Sequence, residues 1–120
     1  MQIRKSAEDY LEAMLMLREE HGRIRSVDIS QKLGVTKPSV SYATKRLKEM
    51  DCITMDKDGA ITLSEKGEEI AMRIYTRHRV IEKLLMQLGV DEQTAREDAC
   101  RIEHDISEKS FNAILERTKE

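Results

Sequence analysis

Apolar residues recur every three or four positions along most of the chain, which is the spacing of one face of an α-helix. A first helix is predicted to begin at Ser6, as an N-cap with Asp9 at the capping-box position, and to end at Gly22. On its polar stripe, Asp9 and Glu12 lie three positions apart. Its apolar residues surround the helix almost completely, so we expect it to be central: Tyr10, Leu11, Ala13, Met14, Leu15, Met16 and Leu17.

Two shorter amphipathic segments follow, with a tight glycine-containing turn between them. The first begins at Ser26 and ends at Gly34, and the second runs from about Lys37 to Met50 with Thr36 as its N-cap and Pro38 in its first turn. Two helices joined in this way are typical of a helix-turn-helix. The residues expected to face inward are Val27, Ile29 and Leu33 in the first, and Val40, Ala43, Leu47 and Met50 in the second.

A β-hairpin is predicted next. β-branched residues lie on both sides of the turn at Asp58 and Gly59, in segments 52–56 and 60–63. A helix-turn-helix followed directly by a hairpin is the winged form of the motif, and the hairpin is the wing.

Three further helices are expected in the second half. Ser64, Asp91 and Ser107 cap them, and the first continues to about Leu88 while the second continues to about His104. The sequence therefore predicts a mainly α fold, with a winged helix-turn-helix over residues 1–66 and an all-helical part over 67–120. The expected inward residues are Ile70, Ile74, Ile81, Leu85, Leu88, Ala95, Ala99, Ile102, Phe111, Ile114 and Leu115.

Composition narrows the class of protein. The chain has 120 residues with 37% charged side chains and a net charge of −2, which is too short for most multidomain enzymes. Its two cysteines, Cys52 and Cys100, cannot form a disulfide scaffold. No apolar run is long enough to span a bilayer, and early charges argue against a signal peptide. We therefore expect a cytoplasmic protein without membrane partners.

The basic charge is local. The helix from Lys37 to Lys48 carries four basic residues and no acidic one, although the whole chain is slightly acidic. Within a winged helix-turn-helix, this helix is the one expected to enter the DNA major groove, the alternatives being a solvated surface or a winged helix that binds only protein. Candidate DNA-binding residues are Thr36, Lys37, Pro38, Ser39, Ser41, Tyr42, Lys45 and Arg46.

Residues of the types that bind metals occur in three places. Cys100, Glu103 and His104 share one side of a helix, so a thiolate, a carboxylate and an imidazole lie together. Each group also has an ordinary explanation: Cys100 as a buried small hydrophobe, His78 as a polar residue at a stripe edge, and the carboxylates as helix N-terminal charges. Considered jointly, they favour a divalent ion held by Asp9, Glu12, His78, Glu82, Cys100, Glu103 and His104.

This ligand set indicates a mechanism. Asp9 and Glu12 come from the DNA-binding half and the other ligands come from the second half, so a bound ion is expected to lock the first helix and fix the spacing of two recognition helices in a dimer. Two alternatives remain. One is a metal-independent winged-helix regulator that senses another ligand, and the other is an enzyme using Cys100 and His104 as nucleophile and base. We expect no enzyme, because the chain has no Gly-rich phosphate loop and no second acid–base pair.

The chain resembles the diphtheria toxin repressor and manganese transport regulator family of metal-dependent transcriptional repressors. The resemblance implies a homodimer, a helical metal-binding and dimerisation domain after the winged helix, and palindromic DNA operators of metal-uptake genes as targets. It also implies that His78, Cys100, Glu103 and His104 occupy metal-ligand positions. The motifs that carry the resemblance are residues 6–12, 35–41, 63–67, Arg77-His78 with Glu82, and 97–104.

The resemblance is a hybrid of the two family branches. Asp9 and Glu12 match the manganese branch, in which both carboxylates are ligands, whereas Cys100 matches the iron branch. Where the iron branch has a further histidine in a second metal site, this chain has Arg96, so we expect that second site to be altered. The implied cofactor is Fe(II) or Mn(II), with Co(II), Ni(II) or Zn(II) also accepted in vitro, because a soft thiolate and hard carboxylates favour different ions.

Overall fold

The fold was analysed in a computed structural model, and the structure describes residues 5–119. Over these residues it confirms the mainly α class, with helices before and after a small sheet. The elements are α1 (Lys5–His21), β1 (Ile24–Arg25), α2 (Ser26–Leu33), α3 (Lys37–Glu49), β2 (Ile53–Met55), β3 (Ala60–Leu63), α4 (Glu65–Gln87), α5 (Glu92–Ile102) and α6 (Glu108–Thr118).

The chain forms two compact units, Met1–Met72 and Arg73–Glu120, which divide within α4. The predicted domain boundary at residue 66 stays a prediction. None of the helices in the described range has a stretch both long and apolar enough to cross a membrane.

Helix α1 supplies much of the core of the first unit. Leu11, Met14 and Leu15 are fully buried, as the nearly continuous apolar surface of this helix predicts. Gly22 ends the helix in the left-handed conformation, with φ 75°. The predicted N-cap at Ser6 is wrong, because Lys5 is already helical and a lysine readily extends a helix.

The helix-turn-helix is confirmed. Gly34 ends α2 with φ 66°, and the Thr36 Oγ1 atom caps α3 by accepting a hydrogen bond from Ser39 N at 3.2 Å. The inward face of α3 differs in part from the prediction. Thr44 is buried beside Val40 and Leu47, and its hydroxyl donates to the Ser41 carbonyl at 3.1 Å, which satisfies the buried polar group. Four residues predicted to face inward are less buried than expected: Val27 is exposed, and Leu33, Ala43 and Met50 are half-buried.

The predicted hairpin forms as β2 and β3, and a third strand joins it. The sheet order is β1-β3-β2 and both pairings are antiparallel, with Ile24 opposite Ile61 and Ile53 opposite Leu63. The sequence pattern missed β1 because two residues carry no alternation of their own. In the turn, the Asp56 carboxylate accepts hydrogen bonds from the backbone N–H groups of Asp58 and Ala60.

The start of α4 lies against the wing. Ser64 Oγ caps the helix by accepting from Gly67 N at 3.0 Å, and Ser64 N donates to the Cys52 carbonyl at 2.9 Å. A Cβ atom on Gly67 would lie 2.0 Å from that carbonyl oxygen, so only glycine allows this close approach.

In the second unit, α5 and α6 begin at the predicted caps. Asp91 accepts from Thr94 N at 3.0 Å and Ser107 accepts from Ser110 N at 3.1 Å. Two residues expected to face inward are exposed: Leu88 by 72% and Ile102 by 37%. Leu88 lies just beyond the end of α4 and Ile102 is the last residue of α5, where the helical stripe leaves the packed face. The buried residues of this unit include Ile74, Ile81, Ala95, Ala99 and Phe111.

Candidate metal centre and DNA-binding surface

In the second unit, His78 of α4 lies among three side chains able to bind a metal. Its Nδ1 atom is 3.0 Å from Glu103 Oε2 and 3.5 Å from Cys100 Sγ. On the other side of the ring, Nε2 is 3.4 Å from Glu82 Oε2. Ligand atoms of His78, Cys100 and Glu103 all lie within 4.8 Å of one another. The structure therefore brings together these three predicted site residues, with Glu82 on the opposite edge of the imidazole.

The Glu103 carboxylate is completely buried. One oxygen pairs with His78, while the other, Oε1, lies 3.3 Å from His104 Nε2 and accepts no hydrogen bond from the described residues. A buried carboxylate is costly unless positive charge or hydrogen bonds compensate it. The interior of this unit thus favours a cation next to Glu103.

Hydrogen bonds to Cys100 and then to Glu103 raise the pKa of His78 from 6.5 to about 10, although burial of the ring acts in the opposite direction. The imidazole is therefore protonated at neutral pH and supplies a positive charge between Glu82 and Glu103. A metal bound at this position must replace that proton, because only a neutral imidazole nitrogen can donate a lone pair.

The donor set suits a divalent transition metal. Thiolate, imidazole and carboxylate are ligands of Fe(II), Co(II), Ni(II) and Zn(II), and the carboxylates also suit Mn(II). Within the part of the chain that the structure describes, the buried Oε1 atom of Glu103 accepts no hydrogen bond, and a cation would account for this. The residues present therefore fit the metal that the family implies.

Cys100 and Glu103 are positioned by the end of α5. The helix ends at Ile102, two residues before the predicted end at about His104, so that Glu103 is its C-cap and the Glu103 N–H donates to the Ala99 carbonyl at 3.0 Å. Cys100 is exposed, and the alternative explanation of it as a buried small hydrophobe is therefore wrong. The thiol remains accessible to ions and oxidants.

Arg77 holds the turn after α5 and was not identified as a site residue from the sequence. Its Nη1 atom donates to the carbonyls of Glu103 at 3.3 Å and Ile106 at 3.2 Å. Its guanidinium lies 5.3 Å from the centre of the Phe111 ring, a cation–π arrangement. The only feature of the sequence that could have pointed to Arg77 is its position directly before His78. By fixing this turn, Arg77 fixes the backbone that carries Glu103.

Asp9 and Glu12 belong to α1 of the first unit. Asp9 is half-buried and Glu12 is only 7% exposed, so neither is a fully solvated surface charge. Their role as metal ligands stays a prediction.

The predicted DNA-binding residues lie in and just before α3. Tyr42 is 64% exposed, and Arg46 Nη1 donates to its hydroxyl at 3.3 Å with the guanidinium 5.8 Å from the ring centre. The resulting helix face is cationic, rich in hydroxyl groups and accessible to solvent. All eight predicted residues are exposed: Thr36, Lys37, Pro38, Ser39, Ser41, Tyr42, Lys45 and Arg46.

Two family models match the chain, and together they cover nearly all of it. The iron dependent repressor N-terminal DNA binding domain matches residues 2–61, and the iron dependent repressor metal binding and dimerisation domain matches residues 64–120. The chain belongs to the iron-dependent repressor family. The resemblance drawn from the motifs is thereby confirmed.

Known proteins similar to this iron-dependent repressor include the transcriptional regulator MntR of Escherichia coli. The two are 37% identical over 111 residues, which are 92% of this chain and 72% of that protein. Among solved structures, IdeR of T. acidophilum has a TM-score of 0.85 at 27% identity, covering 100% of this chain and 56% of that one. The manganese regulator SloR has a TM-score of 0.83 at 31% identity, covering 99% and 55%. The chain thus spans just over half the length of these two solved chains.

Family membership confirms the predicted class. This iron-dependent repressor is a DNA-binding transcription regulator whose second half matches a metal-binding domain, with iron or manganese as the metals that the family and its relatives name. Membership in this family does not favour the alternative of a metal-independent winged-helix regulator that senses another ligand. The relatives are transcriptional regulators and not enzymes.

Proposed function

We propose that this chain, as a homodimer, represses metal-uptake genes by binding palindromic operators when Fe(II) or Mn(II) is abundant. The observation that carries the proposal is the cluster of His78, Cys100 and Glu103. Its three metal-binding atoms lie within 4.8 Å of one another, and the Glu103 carboxylate is completely buried. It lies in the half of the chain that matches a metal-binding domain.

The proposed ligands in the second unit are His78, Glu82, Cys100, Glu103 and His104. A bound divalent ion supplies the positive charge that the buried Glu103 carboxylate requires. His78 gives up its proton as it becomes a ligand, and Cys100 donates through its thiolate. The residue pattern and the family resemblance extend the proposed ligand set to Asp9 and Glu12 of the first unit.

We propose α3 as the recognition helix that enters the major groove. Hydroxyl and ring groups near its start reach base edges or phosphates, and Lys45 and Arg46 contact the DNA backbone. The support is the exposure of all these side chains and the absence of acidic residues between Lys37 and Lys48. The proposed base or phosphate contacts are Thr36, Lys37, Pro38, Ser39, Ser41 and Tyr42.

Exposed apolar side chains in the second unit support a homodimer. Met86, Leu88 and Ile102 are exposed by 44%, 72% and 37%, and all three lie within the match to a dimerisation domain. A second copy of the chain would remove such apolar surface from water. A two-fold symmetric dimer presents two recognition helices, which is why we propose an inverted-repeat operator.

We propose a cytoplasmic location, where the operators of metal-uptake genes are found and where Cys100 stays reduced. We also propose that Cys100 and His104 act as ligands and not as a nucleophile and base. The relatives, which are transcriptional regulators, support this assignment.

The proposal is tested by titrating Mn(II) and Co(II), an air-stable substitute for Fe(II), into metal-free protein in a calorimeter. His78→Ala is expected to lower metal affinity by more than about tenfold, because even supporting residues of metal sites contribute that much. His21→Ala is the matched control, since His21 is an exposed histidine at the end of α1. Equal affinity of both variants and the wild type contradicts the metal site, and unchanged affinity of Asp9→Asn and Glu12→Gln removes these two residues from it.

A further inference from the structure

A line of alternating charges continues from His78 to the surface of the second unit. Glu82 Oε2 is 3.4 Å from His78 Nε2, and Glu82 Oε1 is 3.6 Å from Arg96 Nε. Arg96 Nη2 in turn is 2.8 Å from Glu92 Oε1, one helical turn back along α5. Glu82 is therefore placed between an imidazole on one side and a guanidinium on the other.

The exposure of these groups differs. The Glu82 side chain is 19% exposed, whereas that of Arg96 is 59% exposed. Because the Arg96 side chain is mostly exposed, we expect the pair to contribute little to folding stability. The Arg96 guanidinium nevertheless places a fixed positive charge beside Glu82, and it has no lone pair to offer a metal. Glu92, one turn away on the same helix, contacts the same guanidinium.

We propose that Arg96 is a resident cation that neutralises Glu82 and thereby limits the unit Arg73–Glu120 to one bound metal ion, whose ligands include His78, Cys100 and Glu103; Glu82, given above as a ligand, is then the partner of Arg96 instead. This inference rests on the proposed function and specifies its stoichiometry. A second ion beside Glu82 would meet the Arg96 charge at close range.

Arg96→His tests the inference, because an imidazole in place of the guanidinium removes the fixed charge and adds a donor close to Glu82 and His78. Arg101→His is the matched control: Arg101 also lies on α5 and pairs with an acidic residue of the same helix, Asp98 at 2.8 Å. The full metal-free chain is titrated with Co(II), and ions per chain are counted by calorimetry and by the Co(II) absorption spectrum. Arg96→Gln, which removes the charge without adding a strong donor, provides a second variant.

The expected result is one Co(II) per chain for the wild type and Arg101→His, two for Arg96→His, and a second, weaker ion for Arg96→Gln. Thermal unfolding of the metal-free variants should stay close to that of the wild type, since the Arg96 side chain is 59% exposed. Two ions in the wild type, or one ion in both Arg96 variants, overturns the inference while leaving the proposed function intact. No ion in the wild type contradicts the proposed function, and the inference fails with it.

Discussion

At the scale of single residues, Cys100 has the largest effect on the chemistry of the candidate site. Its sulfur lies 3.5 Å from His78 Nδ1, and a thiolate is a soft donor among hard carboxylates. Soft donors favour Zn(II), Co(II) and Fe(II), whereas a carboxylate at this position would favour Mn(II). The identity of this one side chain should therefore set the metal preference.

Cys100→Glu is expected to raise the affinity for Mn(II) relative to Co(II) by about tenfold, which corresponds to about 1.4 kcal/mol. Calorimetric titration of both ions into the wild type and the variant measures the ratio of the two dissociation constants. Cys100→Ser is the control, because it removes the thiolate without adding a carboxylate. An unchanged metal ranking in Cys100→Glu would mean that Cys100 is not a ligand.

A second residue-scale prediction concerns protons. Cys100 and Glu103 raise the pKa of His78 to about 10, so the ring is protonated throughout the neutral range and must release a proton to bind metal. Apparent Co(II) affinity should consequently rise with pH, by about tenfold per pH unit for each proton released, up to the raised pKa. Calorimetry in buffers of different ionisation enthalpy counts the protons. Metal binding that releases none, with an affinity independent of pH, is the result that rules this out.

The sequence identified most of the candidate site at this scale, but not its supporting residues. His78, Cys100 and Glu103 carry distinctive ligand chemistry, so their types and spacing were sufficient to single them out. Arg77 was missed because its partners are two backbone carbonyls 26 and 29 positions away, which no local pattern encodes. Arg96 was recognised as unable to bind metal, but its pairing with Glu82 depends on how α4 and α5 pack.

At the scale of elements, the sequence predicts best what depends on neighbours in the chain. The caps at Thr36, Ser64, Asp91 and Ser107 are confirmed because a cap binds an N–H group only a few residues ahead. Strand β1 was missed because it exists only through pairing with β3, far along the chain. Leu88 was predicted to continue the buried face of α4, but the helix ends at Gln87 and Leu88 is exposed.

A substitution at Gly67 tests, at the scale of elements, the close packing of the start of α4 against the Cys52 carbonyl. Gly67→Ala should lower the free energy of unfolding by roughly 1–3 kcal/mol, the usual cost of forcing an extra group into a packed site, because its Cβ would meet the Cys52 carbonyl at 2.0 Å. Urea unfolding followed by circular dichroism measures the change. Glu69→Ala, at an exposed position on the same helix, is the control. Identical unfolding midpoints for the two variants would show that this close approach is absent in solution.

A substitution at Arg77 tests, at the scale of elements, whether the turn after α5 supports the candidate metal site. Arg77→Ala removes two hydrogen bonds to that turn and should weaken Co(II) binding by roughly tenfold or more, as loss of supporting contacts does in other metal sites. Arg79→Ala is the control, since Arg79 lies on the same helix and its guanidinium stacks on Tyr75 at 5.7 Å. Equal Co(II) affinities for the two variants would remove Arg77 from the support of the site.

At the scale of the whole molecule, a net charge of −2 does not argue against DNA binding, because the charges are segregated. The basic residues of α3 form an exposed surface, while carboxylates gather around His78 in the second unit. Overall composition thus conceals both functional regions, and only their placement along the chain and in the fold reveals them. The predicted consequence is a protein whose DNA affinity depends on metal.

The most direct test of metal-dependent repression is selection of binding sites from a library of random DNA duplexes with Mn(II), with Fe(II), or with a chelator. With metal, we expect inverted repeats whose half-sites lie about one helical turn, or a multiple of it, apart. The enriched duplex should then bind roughly 5- to 150-fold more tightly with metal than with chelator, the usual range for coupled binding sites. Equal affinity with chelator and with every metal would contradict the account.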